Sequence, residues 1–223
     1  MKSKGNMYEF VETWNPLGGE CPHGCTYCSS NSLRRFPVFK AKYSGKPRLS
    51  HEISNEFGGE SKTIFVVGQN DLFAEKIESL YIDSVLLVCN IYNQHTWFFQ
   101  TKNPIGFFCH IYPRHTILCT TIETNRWYWQ MGNTPKTQDR AIAMSKIKNY
   151  TKQVTIEPIM DFDLPEMIEL IKLCDVSQVN MGCDSKHNHL PEPSKEKVLE
   201  LICELEKFTI IHHKTNLSRI LDK

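Results

Sequence analysis

A regular alternation of short β-rich runs with segments of helical spacing limits the fold of this chain more than any other feature. β-rich runs lie at Tyr8–Trp14, Thr63–Gly68, Thr96–Thr101, Thr116–Ile122, Gln153–Glu157 and Gln178–Gly182. Helical spacing marks Phe73–Cys89, Thr137–Tyr150, Leu164–Cys174 and Ser194–Lys207. Such alternation predicts parallel strands joined by crossover helices. Six strands then predict an α/β fold, a partial (β/α)6 TIM-like barrel. Ser194, after Pro193, is an N-cap candidate. Phe208–His213 offers a terminal strand and Asn216–Asp222 a final helical turn or two. At 223 residues and 40% hydrophobic the chain can bury one sizeable core. With no repeat of fixed length and no low-complexity tract, residues 1–223 read as a single domain.

In a parallel barrel the functional groups gather where the strands end and the βα loops begin. The same polar punctuation recurs there: GQND, QTKNP, TTIETNR, IEPIMDFD and NMGCDSKHN. The first strand empties into CPHGCTYC, which places Cys21, Cys25 and Cys28 at the spacing C-x-x-x-C-x-x-C. Three thiolates on one loop, with no fourth Cys nearby, can hold three corners of an iron-sulfur cubane and leave one iron open. Zinc is the competing reading, with His23 as a fourth ligand. Structural zinc usually uses a second C-x-x-C knuckle, and ferredoxin-type runs a fourth Cys; neither follows here.

The formal charge of +1 gives no general basicity, so a polyanionic partner would have to meet a local patch. One such patch runs from Arg34 to Arg48, with six Lys or Arg, no acid, and Phe36, Phe39 and Tyr43 interleaved. Trp127, Tyr128 and Trp129 offer a second aromatic surface. No apolar stretch approaches the roughly 20 residues that span a bilayer, and MKSKGNMYEF lacks an apolar signal core. Nine Cys without a secretion signal predict a reducing, cytoplasmic setting and no membrane association. Cys89, Cys109, Cys119, Cys174 and Cys203 sit in apolar or mixed stretches and are expected in the core. Cys183 lies instead in a polar stretch just after a strand; His187 and His189 follow it, close enough for a metal site but in a hydrophilic loop where surface histidines are the commoner reading.

The segments TWNPLGGECPHGCTYC, RFPVFKAKYSGKPRL, VVGQNDLFAE, FFQTKNP, TTIETNR, VTIEPIMDFDL and LPEPSKEKVLELI occur in an order that resembles a small family of radical S-adenosylmethionine enzymes, often found in phage genomes. The resemblance runs across nearly the whole chain and extends distantly to the spore photoproduct lyase type, which repairs a thymine dimer in DNA. It implies that Cys21, Cys25 and Cys28 bind a 4Fe-4S cluster and that S-adenosylmethionine is reductively cleaved there to a 5′-deoxyadenosyl radical, in an oxygen-sensitive enzyme. A reducing partner such as flavodoxin or ferredoxin is implied as electron donor.

By strand position the same resemblance implies cofactor contacts from Tyr27, toward the adenine, from Asn70 and Asp71, toward the methionine amino group, and from Lys102, toward the carboxylate. The usual Gly-Gly-Glu element is missing from the second strand end, where GQND stands. Thr121 and Glu123 are candidates for the ribose or amino group. Glu157 is flanked by apolar residues, so its carboxylate needs the barrel mouth or a cation such as Arg126. Cys183 and Asp184, at the end of the last strand, are the catalytic candidates, Cys183 as a thiol returning hydrogen to a substrate radical. The substrate expected first is a nucleic-acid base or nucleotide. A peptide or small metabolite is the alternative, and a zinc or iron-sulfur module without radical chemistry the non-enzymatic one.

Overall fold

The computed structural model describes residues 12–222 apart from Ser185 and His187. The elements follow in chain order: β1 (Glu12–Trp14), β2 (Leu17–Gly18), α1 (Ser29–Leu33), α2 (Pro37–Lys42), β3 (Arg48–Leu49), β4 (Thr63–Val66), α3 (Ser79–Ile91), β5 (Thr96–Thr101) and β6 (Thr116–Thr121). After these come α4 (Thr137–Lys146), β7 (Thr151–Ile156), α5 (Leu164–Cys174), β8 (Gln178–Met181), α6 (Lys195–Leu205), β9 (Ile210–His213) and α7 (Ser218–Leu221). Seven strands form one parallel sheet in the order β1-β4-β5-β6-β7-β8-β9, while β2 and β3 pair antiparallel beside it. Among the described residues no pairing joins β9 back to β1, so the barrel is partial. The terminal strand supplies the seventh.

Crossover helices cover such a sheet, and its central strands are therefore buried on both faces. In β7 only Thr151 is exposed, and Trp97, Phe98 and Phe99 of β5 are all buried. The three-residue β1 is pinned by Trp14, whose ring lies 5.2 Å from Phe57 and 5.8 Å from Trp97. In α5 the buried Met167, Leu170, Ile171 and Cys174 repeat at helical spacing, and Asp175 ends the helix in the left-handed region at φ 53°. Ser194 caps α6, its hydroxyl accepting from Lys197 N at 3.3 Å. One apolar core runs from Trp14 to Ile220.

Two expectations need correction. α3 begins at Ser79 rather than Phe73, because Asp71 turns the chain by accepting from Phe73 N at 3.0 Å and Phe73, Ala74 and Ile77 are buried as loop residues. Cys109 and Cys203 are exposed. Cys203 lies on the face of α6 opposite Val198, Leu201, Ile202 and Leu205, and Cys109 occupies a loop at φ 68°. Of Tyr8–Trp14, only the last three residues fall within the described chain, where they form β1.

Candidate active site

The Cys loop follows β1 and the short β2, and residues just past β4, β5 and β6 bond to it. Asn70 and Asp71, just past β4, are engaged with protein atoms. Asn70 Nδ2 donates to Gly19 O at 2.9 Å, before the first Cys. Asp71 is buried and accepts from His23 Nε2 at 2.8 Å, Thr101 Oγ1 at 2.7 Å, Lys102 N at 2.8 Å and Phe73 N at 3.0 Å. Burial pushes the Asp71 carboxyl up, but His23 and the other donors outweigh it and hold it below its ordinary value. These contacts tie the Cys loop to β4 and β5.

Tyr27, Lys102 and Glu123 come together in one buried network. Tyr27 OH donates to Glu123 Oε1 at 2.5 Å, and Lys102 Nζ donates to the same carboxylate oxygen and to Tyr27 OH at 2.7 Å. The Lys102 ammonium lies 4.3 Å from the Tyr27 ring centroid. Glu123 Oε2 accepts from Arg140 Nη1 at 2.8 Å, and both of these side chains are fully buried. Burial pushes the Glu123 carboxyl up; the Arg140 and Lys102 charges overcome it and hold the group far below the usual carboxylate range. Tyr27 moves the other way, raised by burial and then by the Glu123 charge, so it remains a neutral donor. Thr121 is buried, its hydroxyl accepting from Gln100 Nε2 at 3.1 Å.

Two of the three thiols are held protonated by their surroundings. Burial, then the Asp71 charge, pushes Cys21 up to about 12, with Cys28 and Cys25 adding to it. Cys25 is raised by burial and opposed first by Lys102. Its Sγ donates to Met131 O at 3.2 Å. Among the described residues no three His, Cys, Asp or Glu side chains already converge as a metal cage.

A second cluster occupies the ends of β7, β8 and β9. Glu157 pairs with Lys214 Nζ and accepts from Asn216 Nδ2 at 2.8 Å. This corrects the expected pairing with Arg126, whose guanidinium is bound to Asp161 and Asp163 instead. Gly182 makes the pairing possible, since a Cβ there would lie 2.7 Å from Asn216 Oδ1 and 2.8 Å from Glu157 Oε1. Cys183 is buried and donates to Asn216 O at 2.8 Å. Asp184, also buried, is spent on its own loop, accepting from Lys186 N at 3.1 Å and Asn188 Nδ2 at 2.6 Å. His189 is exposed, and His187 falls outside the described residues.

Sequence reasoning missed Arg140, Lys214 and Asn216. Arg140 had a signal, because Thr137, Arg140, Ala141 and Met144 recur at helical spacing and put a cation on the buried face of α4. Lys214 had none, since only the approach of β9 to β8 brings it to Glu157.

Solved structures share this parallel partial-barrel fold at low identity. A single-residue variant of spore photoproduct lyase superposes with a TM-score of 0.65 at 13% identity, over 96% of this chain and 78% of that one. A doubly substituted form of the lyase with bound AdoMet and dinucleoside spore photoproduct gives 0.55 at 14%, over 88% and 61%. SuiB of Streptococcus suis bound to S-adenosylmethionine gives 0.54 at 8%, over 91% and 50%. The chain thus spans about three fifths of the lyase in its complexed forms and half of SuiB. Residues 7–196 match the model of the family described as "Protein of unknown function (DUF5131)", and the chain belongs to that family. No curated protein matches it. Among the described residues no helix is long and apolar enough to cross a membrane.

Proposed function

We propose that this chain is a radical S-adenosylmethionine enzyme acting on a nucleic-acid base or nucleotide. The observation that carries the reading is that Cys21, Cys25 and Cys28 share the loop after β1 and β2 of a parallel partial barrel, and that Tyr27 of this loop is bonded into the Glu123–Lys102–Arg140 network at the strand ends. The donor set fits a 4Fe-4S cluster: three thiols share one short loop with no fourth Cys beside them, and Lys102 and Arg140 partly offset the burial that raises Cys25. Bound together, the cluster and S-adenosylmethionine supply a 5′-deoxyadenosyl radical that abstracts hydrogen from an unreactive carbon.

The protein's own part is to hold, orient and shield. For ligation Cys25 Sγ gives up its proton and releases the Met131 carbonyl. Tyr27 presents its ring beside the loop with its hydroxyl fixed by Glu123. Lys102 is the cation for a cofactor carboxylate, and Glu123 fixes its position. Across the mouth, Glu157 is the carboxylate for a cofactor amino or hydroxyl group, steered by Lys214 and Asn216. Cys183 holds its S–H hydrogen on Asn216 O, from where it could be returned to a substrate radical. A single domain spanning 1–223 and a low-potential flavodoxin or ferredoxin as reductant complete the proposal.

The nucleic-acid reading rests on the helices directly after the Cys loop. Lys42 is spent on Glu52 and Arg48 on the carbonyls of Ala41, Lys42, Ser44 and Lys46, while Arg34 faces Glu20 at 3.4 Å. Arg35, Lys40 and Lys46 remain exposed around Phe36 and Val38. Phosphate contacts release counterions, so binding of single-stranded DNA should weaken steeply with salt. Replacing Arg35 and Lys40 by Glu should lower that affinity about tenfold at low salt and flatten the salt slope by about two. Unchanged binding and slope in fluorescence anisotropy would refute this surface. The peptide alternative draws on SuiB, also solved bound to its precursor peptide SuiA; precursor-like peptides competing where oligonucleotides do not would favour it.

A further inference from the structure

Part of the loop between β6 and α4, from Gln130 to Asn133, lies against the Cys loop. Thr26 N donates to Gln130 O at 3.0 Å, Asn133 N donates to His23 O at 2.7 Å, and Cys25 Sγ donates to Met131 O at 3.2 Å. Met131 is buried and packs in a small apolar cluster with Cys25, Tyr27, Met160 and Leu190, with Tyr128 and Cys28 at its edge. Gly132 closes the contact at φ 67°: a Cβ there would lie 2.2 Å from His23 O and 2.9 Å from the Gly24 carbonyl carbon. Backbone this close to backbone has no side chain to yield.

Both ends of this segment are fixed to the barrel. Before it, Arg126 binds Asp161 and Asp163, and Tyr128 OH donates to Asp161 O at 3.2 Å. After it, Arg140 Nε donates to Pro135 O at 2.8 Å and Nη2 to Thr134 Oγ1 at 2.6 Å. The same guanidinium holds Glu123, which holds Tyr27 of the Cys loop. Loop and segment are therefore bonded to each other directly and again through Arg140. Trp127 and Trp129 face outward and take no part in the contact.

We infer that residues 128–133 are a positioning strap for the Cys loop, setting the conformation in which Cys21, Cys25 and Cys28 are presented, with Gly132 the residue that lets the two backbones meet. The consequence for metal binding rests on the cluster reading above; the hold on the loop does not. Residues that orient metal ligands from outside the ligand set typically change metal affinity by 10-fold or more when altered.

The test compares Gly132→Ala with Gly59→Ala. Gly59 has a similar positive φ, 86°, but nothing within 4 Å of an added Cβ, so it carries the backbone strain without the collision. In the metal-free protein, Gly132→Ala should speed hydrogen exchange at the Thr26 and Asn133 amides about tenfold while leaving β5, β6 and β7 at wild-type rates. After reconstitution it should retain iron against a chelator about tenfold less well, with an altered visible spectrum. Asn133→Pro, which removes the N–H given to His23 and stiffens the backbone at an exposed position, should act in the same direction at the Thr26 amide if Gly132→Ala fails to fold. Wild-type exchange in both variants, or equal losses in Gly59→Ala, would overturn the strap. Faster loop exchange in a protein that never takes up iron would support the strap and refute the cluster.

Discussion

Glu123→Ala should destabilise the metal-free protein by about 3–5 kcal/mol, because it strands a fully buried guanidinium without its carboxylate. Glu123 lies at the end of β6 and Arg140 on α4, so the pair fastens that helix to the barrel mouth. Removing both charges should be milder. Glu123→Gln with Arg140→Met should cost less than the two single changes summed, since no buried charge then lacks a partner. The pH dependence has a defined sign. Glu123 has its folded pKa below its unfolded value of about 4.3, so its contribution is complete above that value and is lost as the pH falls through the folded pKa. Urea unfolding should show a constant gap between wild type and Glu123→Gln from neutral pH to about pH 5, shrinking only in stronger acid. A gap below about 1 kcal/mol at neutral pH would mean the network is solvated.

Cys25→Ala should abolish cluster assembly with little loss of fold. The Cys25 side chain belongs to the small apolar cluster with Tyr27, Met131, Met160 and Leu190, separate from the main core, so the substitution removes one sulfur from a satellite contact. Its loss from the ligand set leaves two thiols, too few to hold three irons of a cubane. Iron and sulfide per chain should fall to background while the thermal midpoint moves by no more than a few degrees. A variant with wild-type iron and sulfide would remove Cys25 from the ligand set. Iron lost together with the folded state would make the result structural.

The fold was legible because its signals are local. α5 runs from Leu164 to Cys174 and β5 from Thr96 to Thr101, as periodicity and β-branched content predicted. The error at α3 also has a local cause: FAEKIESL has helical composition, but Asp71 captures Phe73 N and spends the next residues on turns. The Cys loop, Tyr27, Lys102 and Glu123 could be placed from strand order, since parallel strands put their ends on one side. Contacts between distant segments could not. No pattern near Glu157 names Lys214, 57 residues later, and nothing in NRWYWQMGN says that its backbone lies on His23 and Thr26. Such pairings are set by how loops fold over the mouth. Burial misled for Cys109 and Cys203, because a Cys in an apolar stretch does not reveal which face of its element it occupies.

Radical cleavage of S-adenosylmethionine is tested by anaerobic reconstitution of the full chain with iron and sulfide, reduction in the presence of S-adenosylmethionine, and chromatography for 5′-deoxyadenosine. Formation of 5′-deoxyadenosine that requires reductant and each of Cys21, Cys25 and Cys28 is the predicted result. Zinc bound without sulfide, or 5′-deoxyadenosine formed equally well after the three cysteines are replaced, would contradict it.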